Sequence, residues 1–248
     1  MSTQLSPTEY IRSFIGMFVF MLLLAIAAIL IIILTLLSFG KATDWIVRTF
    51  PAYLGRPVLF ILGIKFTKVD LRPKELGPAV YIFNHSSTLD IPAFLSLALE
   101  RFRIIVKWEL QYIPFFFIIG RLTGQVFIKR SNREHAVATL KKTYDRLKNN
   151  NLSVIIAPEG SRKHEGRIGP FKKGAFRMAM DLGYPIVPIY FDGNDELSKG
   201  ASLMSKKGEI IATIHPPIAT ESWSPDNLEE HIAEVRELYL DWAGVNTQ

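Results

Sequence analysis

His85 and Asp90 stand five positions apart in Asn84-His85-Ser86-Ser87-Thr88-Leu89-Asp90, and this pair is well suited to move a proton. An imidazole titrates near neutral pH, and a nearby carboxylate fixes its tautomer and stabilises its charged form. The pair follows the apolar run Ala79-Val80-Tyr81-Ile82-Phe83 and precedes a helical start containing Pro92. On an ideal helix, residues five apart point about 140° away from each other. The two side chains therefore meet only if His85 lies in the turn before the helix and Asp90 in its first turn. Ser87-Thr88-Leu89-Asp90 matches the capping-box pattern, with Ser87 as N-cap. The same pattern has a purely structural reading, in which Asp90 caps the helix and does nothing more.

Other segments place charge and conformational freedom at strand ends. Ala157-Pro158-Glu159-Gly160-Ser161-Arg162 follows the apolar run Ser153–Ile156. It offers a carboxylate (Glu159), a glycine that lets a ligand approach (Gly160), a hydroxyl (Ser161) and a guanidinium (Arg162). An arginine there can hold phosphate by two parallel hydrogen bonds. Lys129 and Arg130 end the run Gly124–Ile128, where a basic pair is ordinarily just solvated. Tyr184-Pro185-Ile186-Val187-Pro188-Ile189 is strand-like but contains Pro188, which cannot donate to a ladder; the sequence predicts an edge, a bulge or a pocket wall there. Several chemistries lack support. The chain has no cysteine, which removes disulfides, thiolate catalysis and cysteine-ligated metals. It has no Gly-x-Ser-x-Gly elbow, no complete phosphate-binding P-loop around Gly169–Gly174, and no His-Glu-x-x-His spacing.

These residues need a scaffold, and the hydrophobic pattern predicts one. Strands are expected at Ile64–Val69, Ala79–Phe83, Arg103–Val106, Gln125–Ile128, Ser153–Ala157, Ile186–Phe191 and Glu209–His215. Helices are expected at Thr88–Leu99, Asn132–Lys148 and Gly174–Leu182, with a last one starting from Ser224 as N-cap and Pro225 at N1 and ending at Gly244. The alternation implies an α/β fold: a mixed, largely parallel sheet flanked by helices, with sites at the strand ends.

Residues 1–57 read as a membrane-anchoring segment and 58–248 as the α/β domain. Ser13 to Gly40 contains no charged residue. As a helix it is roughly 42 Å long, against about 30 Å of bilayer hydrocarbon. Either one tilted span accounts for it, or the helix breaks near Thr35–Gly40 and a second, interfacial helix follows around Asp44–Phe50. No small-x-small cleavage site follows, so the segment is expected to be retained. Between residues 41 and 74 the basic residues Lys41, Arg48, Arg56, Lys65, Lys68, Arg72 and Lys74 outweigh Asp44 and Asp70, which predicts a cytoplasmic domain. The net charge of +6 suits anionic lipid or a phosphorylated substrate. No nucleic-acid motif is present.

In their order, Asn84–Asp90, Phe127–Arg130, Glu159–Arg162 and Ile186–Ile189 resemble the motifs of the glycerolipid acyltransferase superfamily. The chain looks most like its bacterial 1-acylglycerol-3-phosphate (lysophosphatidic acid) acyltransferases. Lys107-Trp108-Glu109-Leu110 with Ile113-Pro114-Phe115, and Pro170–Phe176, also match. Ser161 replaces the usual threonine, and Lys129 stands where aspartate is common. The resemblance covers residues 60 to 217. It implies acyl transfer from a thioester, acyl-CoA or acyl carrier protein, to a lysophospholipid phosphate at the inner, cytoplasmic membrane, without a cofactor. It implies His85 as base and Asp90 as its orienting partner. Arg130, Arg162 and Lys107 would hold the acceptor phosphate, Glu159 would anchor an arginine or the acceptor, and Phe115–Ile119 and Pro188 would flank the acyl chain. Two alternatives stay open: another acceptor, such as glycerol 3-phosphate or a lyso-aminolipid, and a non-enzymatic protein that binds anionic lipid.

Overall fold

The computed structural model describes residues 5–128, 133–162 and 167–245. Seven strands form one sheet: β1 (Ile64–Asp70), β2 (Val80–Phe83), β3 (Phe102–Lys107), β4 (Val126–Ile128), β5 (Ser153–Ile156), β6 (Ile186–Asp192) and β7 (Gly208–Ile214). Their order is β1-β7-β6-β2-β5-β3-β4. Every neighbouring pair is parallel except β6 and β7. All seven expected strands are present, within about two residues at each end. β2 and β5 are almost wholly apolar because helices cover both faces of a parallel sheet, which leaves no solvent side for polar residues.

The helices are α1 (Pro7–Leu37), α2 (Thr43–Ile61), α3 (Asp90–Ser96), α4 (Pro114–Leu122), α5 (Arg133–Asn149), α6 (Lys173–Leu182), α7 (Asn194–Leu197) and α8 (Leu228–Trp242). One core holds Phe176, Met178 and Tyr239 against Val80, Ile82 and Val154 on one face of the sheet. The other holds Val58, Leu59, Ala93 and Phe94 against Ala79, Tyr81 and Ile189. α1 starts at a capping box, where the Glu9 carboxylate accepts from the Ser6 amide at 2.8 Å. It ends at Ser38, and Phe39 and Gly40 take positive φ as the chain turns into α2. Of the two expected arrangements the described fold has the broken one, but α2 is longer than expected and packs on the domain. The boundary expected after residue 57 falls inside α2. Phe20 and Leu24 of α1 and Leu62 after α2 join the second core. Gly55 lets α2 lie directly on α3: a Cβ there would be 2.6 Å from Ser96 Oγ.

Some boundaries differ from expectation. α8 begins at Leu228, four residues after Ser224, because the Asn227 side chain accepts from the Ser224 amide at 2.7 Å and holds Pro225–Asn227 as a turn. α3 is shorter than Thr88–Leu99, since Ala98 adopts φ 53° and stops it. α4 and α7 were not expected. The aromatic and β-branched run of α4 has poor helix propensity. Gly120 brings it against Phe127, so packing rather than local preference decides its form. Pro188 does not lie in an edge strand, because β6 is interior. It pairs with Ile82 of β2 and falls one residue outside the β6–β7 ladder, which starts at Ile189↔Ile214. Its carbonyl accepts from the His215 amide at 2.9 Å, and its missing N–H breaks no rung on that side.

Candidate active site

The sheet order gathers the motifs on one rim. Along β6-β2-β5-β3-β4 the carboxyl ends carry, in turn, Asn194, His85, Glu159 with Arg162, Lys107, and the chain leading to Arg130. Lys129 and Arg130 lie outside the described residues. Lys107 is exposed at the end of β3. β3 is two strands from β2, roughly 10 Å away at ordinary strand spacing.

His85 sits in the turn after β2, and Asp90 opens α3. His85 Nδ1 and Asp90 Oδ2 are 2.8 Å apart. Asp90 Oδ2 also accepts from the Ser87 amide at 3.1 Å, while Ser87 Oγ accepts from the Leu89 amide at 3.1 Å. Only half of the expected capping box forms: Asp90 accepts from the Ser87 amide, but the Ser87 hydroxyl accepts from Leu89 rather than from Asp90, and the N-cap of α3 is Leu89. Asp90 is buried, and burial pushes its carboxyl above the ordinary aspartate range; the His85 ring, the Ser87 amide and the Asn194 side chain pull it back. With the carboxylate accepting from Nδ1–H, the lone pair of the imidazole is on Nε2. Nε2 has no hydrogen-bond partner among the described residues, and the His85 side chain is 21 % exposed.

Three buried side chains hold this pair. Asn84 bridges to the end of β6 like an extra strand residue, its amide donating to the Phe191 carbonyl at 3.0 Å and its oxygen accepting from the Phe191 N–H at 2.8 Å. Glu159 accepts from the His85 amide at 2.6 Å with one oxygen and from the Gly169 amide at 2.8 Å with the other. Its carboxylate thus ties together the β2 loop and the chain leading to α6. Asn194 donates to Asp90 Oδ1 at 2.5 Å, and its own oxygen accepts from the Asp195 amide at 2.9 Å. Behind the loop, the buried Tyr239 hydroxyl donates to the Ile82 carbonyl at 2.9 Å and accepts from the Ile189 amide at 3.2 Å, so β2 is anchored just before His85. Burial holds this phenol well above its ordinary pKa.

Asn194 was not singled out in the sequence. The available signal was Asp192-Gly193-Asn194-Asp195, a turn after a strand. Gly193 has φ 86°, and a Cβ there would meet the Glu209 carbonyl. Nothing local says that Asn194 reaches Asp90, 104 residues earlier.

Arg162 reaches the same loop, where its Nη1 donates to Thr88 Oγ1 at 3.0 Å. Gly160, at φ 67°, turns the chain there, and Ser161 lies between them, half-buried. Arg162 and Thr88 line a cavity of about 270 Å³, whose walls are otherwise mostly apolar and include Met17 and Phe20 of α1, Val58 of α2, Leu89, and Phe116 of α4. Pro188 is buried in the sheet. An imidazole with a nitrogen unengaged among the described residues, on a loop whose Thr88 holds a guanidinium at an apolar cavity, can deprotonate a hydroxyl on an amphiphile with an anionic head.

Comparison with known proteins agrees with this chemistry. The family profile described as Acyltransferase matches residues 63–192. A Haemophilus influenzae protein named 1-acyl-sn-glycerol-3-phosphate acyltransferase is 30% identical over 199 residues, covering 80% of this chain and 79% of that one. A Saccharomyces cerevisiae protein of the same name is 32% identical over 183 residues; the match covers 73% of this chain and only 60% of the longer yeast protein. The crystal structure of the 1-acyl-sn-glycerophosphate (LPA) acyltransferase PlsC from Thermotoga maritima has the same fold. Its TM-score is 0.75, with 97% of this chain and 99% of that one covered at 22% identity.

Proposed function

Because this chain belongs to the acyltransferase family, we propose that it transfers a fatty acyl group from a thioester to the free hydroxyl of lysophosphatidic acid, giving phosphatidic acid. His85 Nε2 takes the hydroxyl proton as the acceptor oxygen attacks the thioester carbonyl carbon. The new C–O bond forms, the C–S bond breaks, and the imidazolium returns its proton to the departing thiolate. Asp90 keeps the proton on Nδ1 throughout and stabilises the charged ring. The observation that carries this reading is the 2.8 Å His85–Asp90 contact, with Nε2 unengaged among the described residues.

Arg162 binds the acceptor phosphate, assisted by Lys107 and Arg130. The cavity beside Arg162 takes hydrocarbon, which is supported by its apolar walls and by Phe116, within the stretch expected to flank a chain. Glu159 acts through the backbone of the His85 turn, and Pro188 through the packing beneath it. The donor is acyl-CoA or acyl carrier protein, and no cofactor takes part. α1 is long and apolar enough to cross a bilayer. It holds the site at the inner membrane on the cytoplasmic side, where an amphiphilic acceptor resides.

The test is His85→Ala in a thiol-release assay with lysophosphatidate as acceptor. Turnover should fall at least 10²-fold, the usual contribution of a general base. Unchanged turnover would remove His85 as the base, whereas no turnover in the wild-type protein would leave the alternative of an anionic-lipid binder.

A further inference from the structure

The rim opposite His85 carries a separate cluster of charge. Arg103 is the second residue of β3, Arg121 lies in the last turn of α4, Gly124 precedes β4, Arg146 is in the last turn of α5, and Leu152 precedes β5. Since β3, β4 and β5 run parallel, these residues meet at the amino ends of the strands. The four-residue rise from Arg103 to Lys107 separates the two rims by roughly 13 Å.

Together with Asn150 these residues enclose a cleft of about 180 Å³. Among the described residues no aspartate or glutamate lines it. Arg103 is only 7 % exposed. Gly124 has φ 70°, and its bare Cα admits two guanidinium groups: a Cβ there would lie 3.3 Å from Arg103 Nε and 3.4 Å from Arg146 Nη1. Arg146 is fixed by its Nη2 donating to the Gly124 carbonyl at 2.7 Å. Its pKa is lowered by burial and then by the nearby charge of Arg103, so the two guanidinium groups lie close enough to act on one ligand.

We propose that this cleft binds a phosphate group. Guanidinium forks match phosphate oxygens bidentately, and converging cations suit a dianion. The phosphate can be free or part of a lipid headgroup. Phe117 lies one turn before Arg121 on α4 and Ile113 is the N-cap of that helix, and both are exposed, so apolar surface leads to the cleft.

The experiment uses the full chain in detergent with Arg162→Gln, Lys107→Gln and Arg130→Gln, which removes the phosphate contacts proposed for the catalytic rim and keeps the two proposals separate. The thermal midpoint is followed against inorganic phosphate at constant ionic strength. A saturable rise of about 3 °C at tenfold above the Kd is expected. Adding Arg121→Gln and Arg146→Gln should abolish it. No saturable rise, or the same rise with those two added, overturns the proposal. Should Arg146→Gln fail to fold, adding only the exposed Arg121→Gln must shift the phosphate midpoint about tenfold, and an unchanged midpoint overturns the proposal equally. The protein is then compared in phosphatidylcholine and phosphatidylglycerol nanodiscs. A phosphate response lost only in phosphatidylglycerol assigns the site to a lipid headgroup, and one that persists assigns it to free phosphate.

Discussion

Asp90→Asn tests the hydrogen-bond arithmetic of the site. Three donors converge on the Asp90 carboxylate: His85 Nδ1–H and the Ser87 amide on Oδ2, and the Asn194 amide on Oδ1. A carboxamide accepts at one end only. If its NH2 takes the Oδ2 position, it opposes two donors. His85 must then switch tautomer, putting the proton on Nε2 and removing the lone pair that takes the acceptor proton. If the NH2 takes the Oδ1 position, it opposes Asn194, whose oxygen is already engaged by the Asp195 amide. Either way a buried donor loses its partner, at about 1–3 kcal/mol of stability. In a Ser-His-Asp triad the wrong tautomer lowers kcat roughly 10⁴-fold, equivalent to about 5 kcal/mol in the barrier, and a fall of that order is expected here. Released thiol can be followed with a chromogenic disulfide, and the enzyme contributes no background because it has no cysteine. Adding Asn194→Asp lets the new NH2 donate to a carboxylate and turns the carboxamide oxygen back to His85; the double variant should recover stability and at least tenfold in kcat. An Asp90→Asn protein with kcat within tenfold of wild type would refute the reasoning.

Three further outcomes are expected. Glu159→Ala leaves the His85 and Gly169 amides without their carboxylate, so urea unfolding should show a loss of about 1–3 kcal/mol per buried amide, with Glu159→Gln less affected. Gly55→Val drives side-chain atoms into Pro92 and Ser96 of α3; overpacking costs typically about 1–3 kcal/mol, and because α3 begins at Asp90, kcat should fall along with the melting temperature. Asp70 has its carboxyl lowered to about 2 by the Arg72 hydrogen bonds. The unfolded chain therefore takes up this proton first, and the stabilisation is complete above pH 4 and lost as pH falls toward 2. In Asp70→Asn, stability measured between pH 2 and 4 should lose that part of its slope; an unchanged slope would rule Asp70 out as its source.

Several features were legible because they are local. The strands β1 to β7 follow from short apolar runs bounded by turn residues. The stretch from Ser13 to Gly40 has no charge over a length that exceeds a bilayer. Asn84–Asp90 contains its own capping logic, which places His85 in a turn and Asp90 at the head of α3. α4 was not legible, because its aromatic run is helical only where Gly120 rests on Phe127. Pro188 suggested an edge because a missing donor is a local fact, whereas the partner strand that ends beside it is not.

The amino-acid sequence by itself determined which groups could do chemistry, the succession of the strands, and the long apolar N-terminal helix, since each depends on residues within a few positions. Only the tertiary structure decided what holds those groups in place. The parallel order β6-β2-β5-β3 sets loops that are far apart in the chain side by side. That is how Asn194 meets Asp90, how Glu159 comes to hold the backbone of His85, and how Arg162 reaches Thr88. Hydrogen bonds across such distances leave no periodicity in a sequence, because their partners are chosen by strand order and not by spacing along the chain.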